Sequence, residues 1–135
     1  MAAQNFHYGK PYTQELEDQI MEDLSQDYVQ GLTLLGGEPF LNTQVCIRIC
    51  KRIRQEFGHT KDIWSWTGYN WDELLKDSDD KLEMLSLIDI LVDGRFLEEK
   101  KDLTLQFRGS SNQRIIDVPK SLAADKVIIW DKLVR

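Results

Sequence analysis

The sequence is poor in cysteine, in proline and in basic charge, and each shortage closes off a class of protein. Two cysteines in 135 residues are too few for a disulfide-stapled secreted scaffold, and they read as buried thiols. Three prolines and eight glycines leave no low-complexity linker, and no internal repeat is present. Lys and Arg number 17 against 23 Asp and Glu, a net charge of −6. That balance argues against a general nucleic-acid partner, because neutralising phosphates needs a positive excess. No apolar run approaches the roughly 18–20 residues that a bilayer demands, so no membrane partner is expected. Met1 to Lys10 is polar and holds no secretory signal, which makes the cytoplasm the expected location.

What is present suits one globular α/β domain spanning residues 1–135. Hydrophobic residues make up 41% and charged residues 30%, enough to bury a core without a metal staple. Thr13 can cap a helix whose apolar positions Leu16, Ile20, Leu24 and Tyr28 recur every fourth residue. Gly31 breaks that pattern, and Leu32 to Leu35 reads as a strand running into Gly36, Gly37, Glu38 and Pro39. Asn42 or Thr43 can cap a second helix carrying Cys46, Ile49, Cys50, Ile53 and Phe57 on one stripe, ended by Gly58. Lys51, Arg52 and Arg54 alternate with that stripe and read as its solvated face rather than as a phosphate patch.

Ile63 to Trp66 forms the next predicted strand, closed by Thr67-Gly68-Tyr69. A helical stretch from about Trp71 to Leu87 follows, with a break near Asp77-Ser78. Ile88 to Val92 is a third strand, ending at Asp93-Gly94-Arg95. Strands separated by helices of this length imply right-handed βαβ units and a parallel sheet. In the tail, 103–107 and 127–130 look extended, with Arg108 to Asn112 as a loop between them.

Each of the three strands ends in a polar loop containing glycine. In parallel α/β folds ligands bind where such loops converge, at the carboxyl ends of the strands. Two glycines before Glu38 let backbone approach a ligand closely, and the carboxylate suits an ammonium group. A lone loop of this kind also fits an ordinary tight turn.

The loop is not alone. Leu34 to Pro39 resembles the motif by which radical S-adenosylmethionine enzymes hold the methionine amino group of their cofactor. Lys61 to Tyr69, Ile90 to Phe96, Arg108 to Arg114 and the opening Gly9 to Thr13 resemble segments of the anaerobic ribonucleotide reductase activating proteins, in the same order. The resemblance implies a partial, open (βα) barrel with a mainly parallel sheet. It implies a protein that activates anaerobic ribonucleoside-triphosphate reductase by generating a glycyl radical on it, through reductive cleavage of S-adenosylmethionine at a 4Fe–4S cluster. Reduced flavodoxin is the electron donor it suggests.

By the same resemblance Gly36, Gly37, Glu38 and Pro39 hold the methionine end of the cofactor, and Thr67 and Gly68 face its ribose and methionyl group. Asp93 and Arg95 stand where related activases carry an Asp-x-Lys pair. Arg in place of Lys keeps the charge and changes the donor geometry. Asp93 equally fits a loop-capping carboxylate. Ser111, Asn112 and Gln113 fit either a structural turn or a surface that meets the reductase.

One part of the family's pattern does not occur. The cluster needs three thiolates in a Cys-x3-Cys-x2-Cys loop. Cys46 and Cys50 have the first spacing, yet Ile53 stands where a third ligand would be, and the pair lies on the apolar stripe of a helix. They read as core thiols and not as metal ligands. The chain is therefore expected to be an N-terminally truncated, incomplete domain lacking its first strand and cluster loop, with an apolar sheet edge left open beside the Gly36-Gly37 strand. On its own it is expected to be inactive. The alternative is a non-catalytic fragment that binds the reductase or a nucleoside-like ligand.

Overall fold

A computed structural model describes residues 2–7, 13–35, 38–95, 99 and 112–130 of the chain. Its strands are β1 (Ala2–His7), β2 (Val29–Leu35), β3 (Asp62–Trp66), β4 (Ile90–Asp93) and β5 (Arg114–Asp117). Its helices are α1 (Gln14–Leu24), α2 (Thr43–Phe57), α3 (Trp71–Lys76), α4 (Asp79–Leu87) and α5 (Val118–Ala124), and Pro39–Leu41 forms a 3₁₀ turn. The sheet runs β1-β2-β3-β4-β5, parallel through β4, with β5 antiparallel to β4.

Because sequential strands are neighbours, right-handed crossovers place every connecting helix on the same face. The buried residues divide accordingly. Ile20, Leu24, Cys46, Ile49, Ile53, Leu74 and Leu85 from the helices pack with Leu32, Leu34, Ile63, Leu91 and Ile116 from the strands. Trp64, Ile90, Val92 and Ile115 gather on the opposite face with Trp66 and Trp130. There Trp64 meets Trp130 edge to face at 5.0 Å and stacks on Trp66 at 5.9 Å.

Local chemistry sets the helix limits. Thr13 caps α1 by accepting from Leu16 N–H at 3.1 Å. Asn70 and Glu73 make a reciprocal capping box that starts α3, and the expected interruption falls at Asp77 and Ser78. Gly58 ends α2 at φ +59°. Among the described residues no helix is long and apolar enough to cross a membrane.

Several expectations need correction. The edge beside β2 is covered, because β1 pairs with it from Ala3↔Gly31 to His7↔Leu35. An outer strand needs backbone partners more than an apolar sequence, so a polar segment qualifies. Gly31 does not break the chain but lies inside β2. A Cβ there would stand 2.0 Å from the Asp62 carbonyl oxygen, so only glycine admits β3 at that distance. Tyr28 lies past the end of α1 and is exposed. Between the two tail stretches the structure adds elements not expected from sequence: Arg114 opens β5, and α5 follows at once, capped by the Asp117 side chain on Lys120 N–H. In the tail, Ile129 makes a single antiparallel bridge to Ile116, and the stretch 103–107 lies outside the described residues.

Candidate functional site

Parallel neighbours bring the carboxyl ends of β2, β3 and β4 side by side, and Glu38 ties the first two loops together. Its carboxylate accepts from Thr67 Oγ1–H at 2.8 Å, Gly68 N–H at 2.6 Å and Phe40 N–H at 3.1 Å. The last bond makes Glu38 the cap of the 3₁₀ turn, whose first residue, Pro39, is buried. Thr67 is buried as well. Its amide extends the β3–β4 pairing by donating to Val92 O at 3.0 Å, and its hydroxyl accepts from Tyr69 N–H. A Cβ on Gly68 would meet Glu38 Oε1 at 3.4 Å and Arg95 Cγ at 3.8 Å, so a bare backbone lies between these two side chains.

The third loop joins through Gly94, whose amide donates to Tyr69 O at 2.8 Å. Asp93 is 1% exposed and turned inward. It accepts from Trp71 N–H at 2.9 Å, at the start of α3, and from the Arg114 guanidinium at 2.6 and 3.1 Å. This two-toothed bond holds the Arg114 proton more tightly than usual. Arg95, two residues on, is exposed. A cavity of about 530 Å³ opens here over Gly68 and Gly94, walled by Asn70, Asp72, Glu73, Arg95, Asn112 and Arg114.

Of the residues singled out from sequence, Glu38, Pro39, Thr67 and Gly68 form one contiguous unit, with Arg95 beside Gly68. Asp93 serves as an internal tie, which matches the loop-capping alternative. Gly36, Gly37 and Ser111 lie outside the described residues. Arg114 and the Trp71 amide went unanticipated. Asp93 and Arg114 are register partners across β4 and β5, a pairing invisible until β5 is known.

Cys46 and Cys50 are fully buried in α2, and Cys46 Sγ donates to Pro39 O at 3.7 Å. Burial, with a lesser push from Glu38, raises the Cys46 thiol to about 12, and burial raises Cys50 too. Thiolates are therefore disfavoured at both positions. Among the described residues no three His, Cys, Asp or Glu side chains are grouped to hold a metal. Iodoacetamide near roughly pH 8 is expected to spare both cysteines in the folded chain and to alkylate both in urea. The unfolded chain releases these protons from the ordinary value of 9.0 upward, whereas the folded chain retains them at Cys46 to about 12. Stability should therefore fall as pH rises through that window. Rapid alkylation without denaturant would contradict this burial.

The basic cluster of α2 is ion-paired. Lys51 meets Glu83 at 2.6 Å, and Arg52 meets Asp18 at 2.7 Å and also Glu56. Arg54 instead turns inward to Asp89 at 2.8 Å.

Residues 1–116 match a family model described as a 4Fe–4S single cluster domain. The chain is similar to the anaerobic ribonucleoside-triphosphate reductase-activating protein of Escherichia coli strain K12, at 43% identity over 109 residues, covering 78% of this chain and 68% of the relative. The Haemophilus influenzae protein of that name is 42% identical over 115 residues, covering 82% and 72%. That of Enterobacteria phage T4 is 34% identical over 113 residues, covering 82% and 68%. No solved structure matches the chain significantly.

Proposed function

Since this chain belongs to the anaerobic ribonucleoside-triphosphate reductase-activating protein family, we propose that it acts in activating such a reductase, with the carboxyl edge of β2, β3 and β4 as its seat for S-adenosylmethionine. The observation that carries this reading is the joining of the first two loops by Glu38, beside a cavity that Arg95 borders. Gly36, Gly37, Glu38 and Pro39 would hold the methionine end. Thr67 and Gly68 would face the ribose, Arg95 would supply the cationic contact, and Asp93 would fix Arg95's loop. The cavity that Gly68 borders fits a ligand lying close to the backbone. The one-sided packing of the helices supports a partial (βα) barrel with this cavity at its mouth.

The iron–sulfur cluster that the family implies is a different matter. The chain has two cysteines, both core thiols, so its residues do not fit a three-thiolate site. The proposal for these 135 residues is a cofactor cradle and a docking partner for the reductase. Reduced flavodoxin would serve the complete reaction as electron donor. The buried cysteines favour a second reading, a non-catalytic module that binds the reductase or another nucleoside-like ligand.

Calorimetric titration with S-adenosylmethionine, and with adenosine as a control, separates the two. The first reading expects S-adenosylmethionine to bind and Arg95→Ala to weaken it about tenfold, the loss of one charge-assisted contact. Adenosine binding as tightly, with no dependence on Arg95, would favour the second. Failure to bind either compound or the immobilised reductase would overturn both. A stoichiometric cluster after anaerobic reconstitution with iron and sulfide would overturn the reading of the cysteines.

A further inference from the structure

Three consecutive side chains at the start of β5 grip three consecutive residues at the end of β4. Asn112 Nδ2 donates to Arg95 O at 2.8 Å, and Gln113 Nε2 donates to Gly94 O at 2.9 Å. Arg114 donates from Nε and Nη2 to the two oxygens of Asp93 at 3.1 and 2.6 Å. The backbone register of β4 and β5 ends at Asp93↔Arg114, so side-chain bonds extend the pairing where the backbone ladder stops. Gln113 is 7% exposed and Asp93 1%, so three of these four bonds have a buried partner, although the Arg114 side chain itself is 41% exposed.

The gripped turn needs such help. Gly94 sits at φ +93°, a conformation that side-chain-bearing residues rarely adopt, and glycine has the most conformational freedom to lose. Two backbone carbonyls past the last ladder bond would otherwise look to solvent, and a polar three-residue turn would sample many arrangements. A ligand that met Arg95 would have to meet the cost of ordering that turn. With the grip in place the order exists before binding.

We propose that Asn112, Gln113 and Arg114 are positioning residues, a clasp that sets where Arg95 stands at the cavity. The proposal rests on that cavity being the S-adenosylmethionine seat. Arg114 borders the same cavity, which leaves direct ligand contact as the rival role for it. A positioning residue acts through Arg95, whereas a direct contact acts independently of it.

A double-mutant cycle between Arg114→Ala and Arg95→Ala, read as calorimetric affinity for S-adenosylmethionine, tells these apart. Each single change is expected to weaken binding about tenfold, and the double change scarcely more than either. Additive losses, about a hundredfold together, would overturn the proposal. Asn112→Ala, a milder change on an accessible side chain, serves the same cycle should Arg114→Ala fail to fold. Amide hydrogen exchange supplies a readout that needs no ligand. The Gly94 and Trp71 amides, which donate to Tyr69 O and to Asp93, should lose protection in Arg114→Ala while those of α2 keep theirs. Should the unsubstituted chain bind no S-adenosylmethionine, the cofactor reading fails, and exchange alone decides the clasp. Unchanged protection at Gly94 and Trp71 would overturn it.

Discussion

Glu38→Gln should cost about 2–3 kcal/mol of stability and at least about a hundredfold in affinity for S-adenosylmethionine. The substitution is nearly isosteric, so the effect comes from chemistry alone. The Phe40 amide, the Gly68 amide and the Thr67 hydroxyl all donate to the carboxylate, which has acceptors on both oxygens. A glutamine presents one acceptor and one –NH₂. Either orientation points donor at donor on one side, at Gly68 or at Phe40. The Thr67 hydroxyl can rotate to accept, but the Phe40 and Gly68 amides can only donate, so one of them always faces the –NH₂. With the tie broken, the Gly68 loop is no longer fixed to the start of the 3₁₀ turn, and the cradle opens. Urea unfolding followed by tryptophan fluorescence measures the first loss and calorimetric titration the second. A variant within about 0.5 kcal/mol of the parent, the range of an ordinary surface change, would show that Glu38 does not organise the loops.

How much of this was legible beforehand depends on where each signal resides. The capping of α1 by Thr13, the break at Asp77-Ser78 and the end of α2 at Gly58 are local, since the residue that stops or starts the helix sits at its end. β2, β3 and β4 were legible because buried parallel strands read as short apolar runs. β1 and β5 were not. β1 is polar, and its place depends on β2. β5 is four residues long, and its opening arginine is explained only by Asp93 across the register. The same distinction holds at the site. That the carboxyl ends of β2, β3 and β4 lie along one edge followed from strand direction. That Glu38 bonds to Thr67 and Gly68, and that Asp93 faces inward to Arg114, required knowing which neighbours lie within 3 Å or so. Gly31 illustrates the opposite error. Read locally it is a breaker, but its small size is used sideways, against Asp62.

Arg54→Ala should be the most destabilising change on the helical layer, by about 3–5 kcal/mol, because it strands a largely buried carboxylate. Arg54 and Asp89 have side-chain exposures of 15% and 19%, and they meet at 2.8 Å. The same guanidinium donates to Gly58 O, Lys61 O and Leu87 O, thereby joining the end of α2, the approach to β3 and the end of α4. Asp89 in turn accepts from Ile63 N–H at 2.8 Å, so the pair sits where β3 and β4 begin. The two strands are aligned from the edge opposite the cavity, and the loops that Glu38 joins leave the far ends of this alignment. Lysine at position 54 should recover less than half the loss, since one ammonium on a flexible stem cannot reach four acceptors spread over three segments. Arg54→Ala combined with Asp89→Asn should be more stable than Arg54→Ala alone, because the uncompensated charge is gone although the carbonyls stay unpaired. If the double variant proves less stable than Arg54→Ala in denaturant titration, the cost lies in the carbonyl bonds rather than in the orphaned charge, and the ion pair is not what holds β3 and β4 in register.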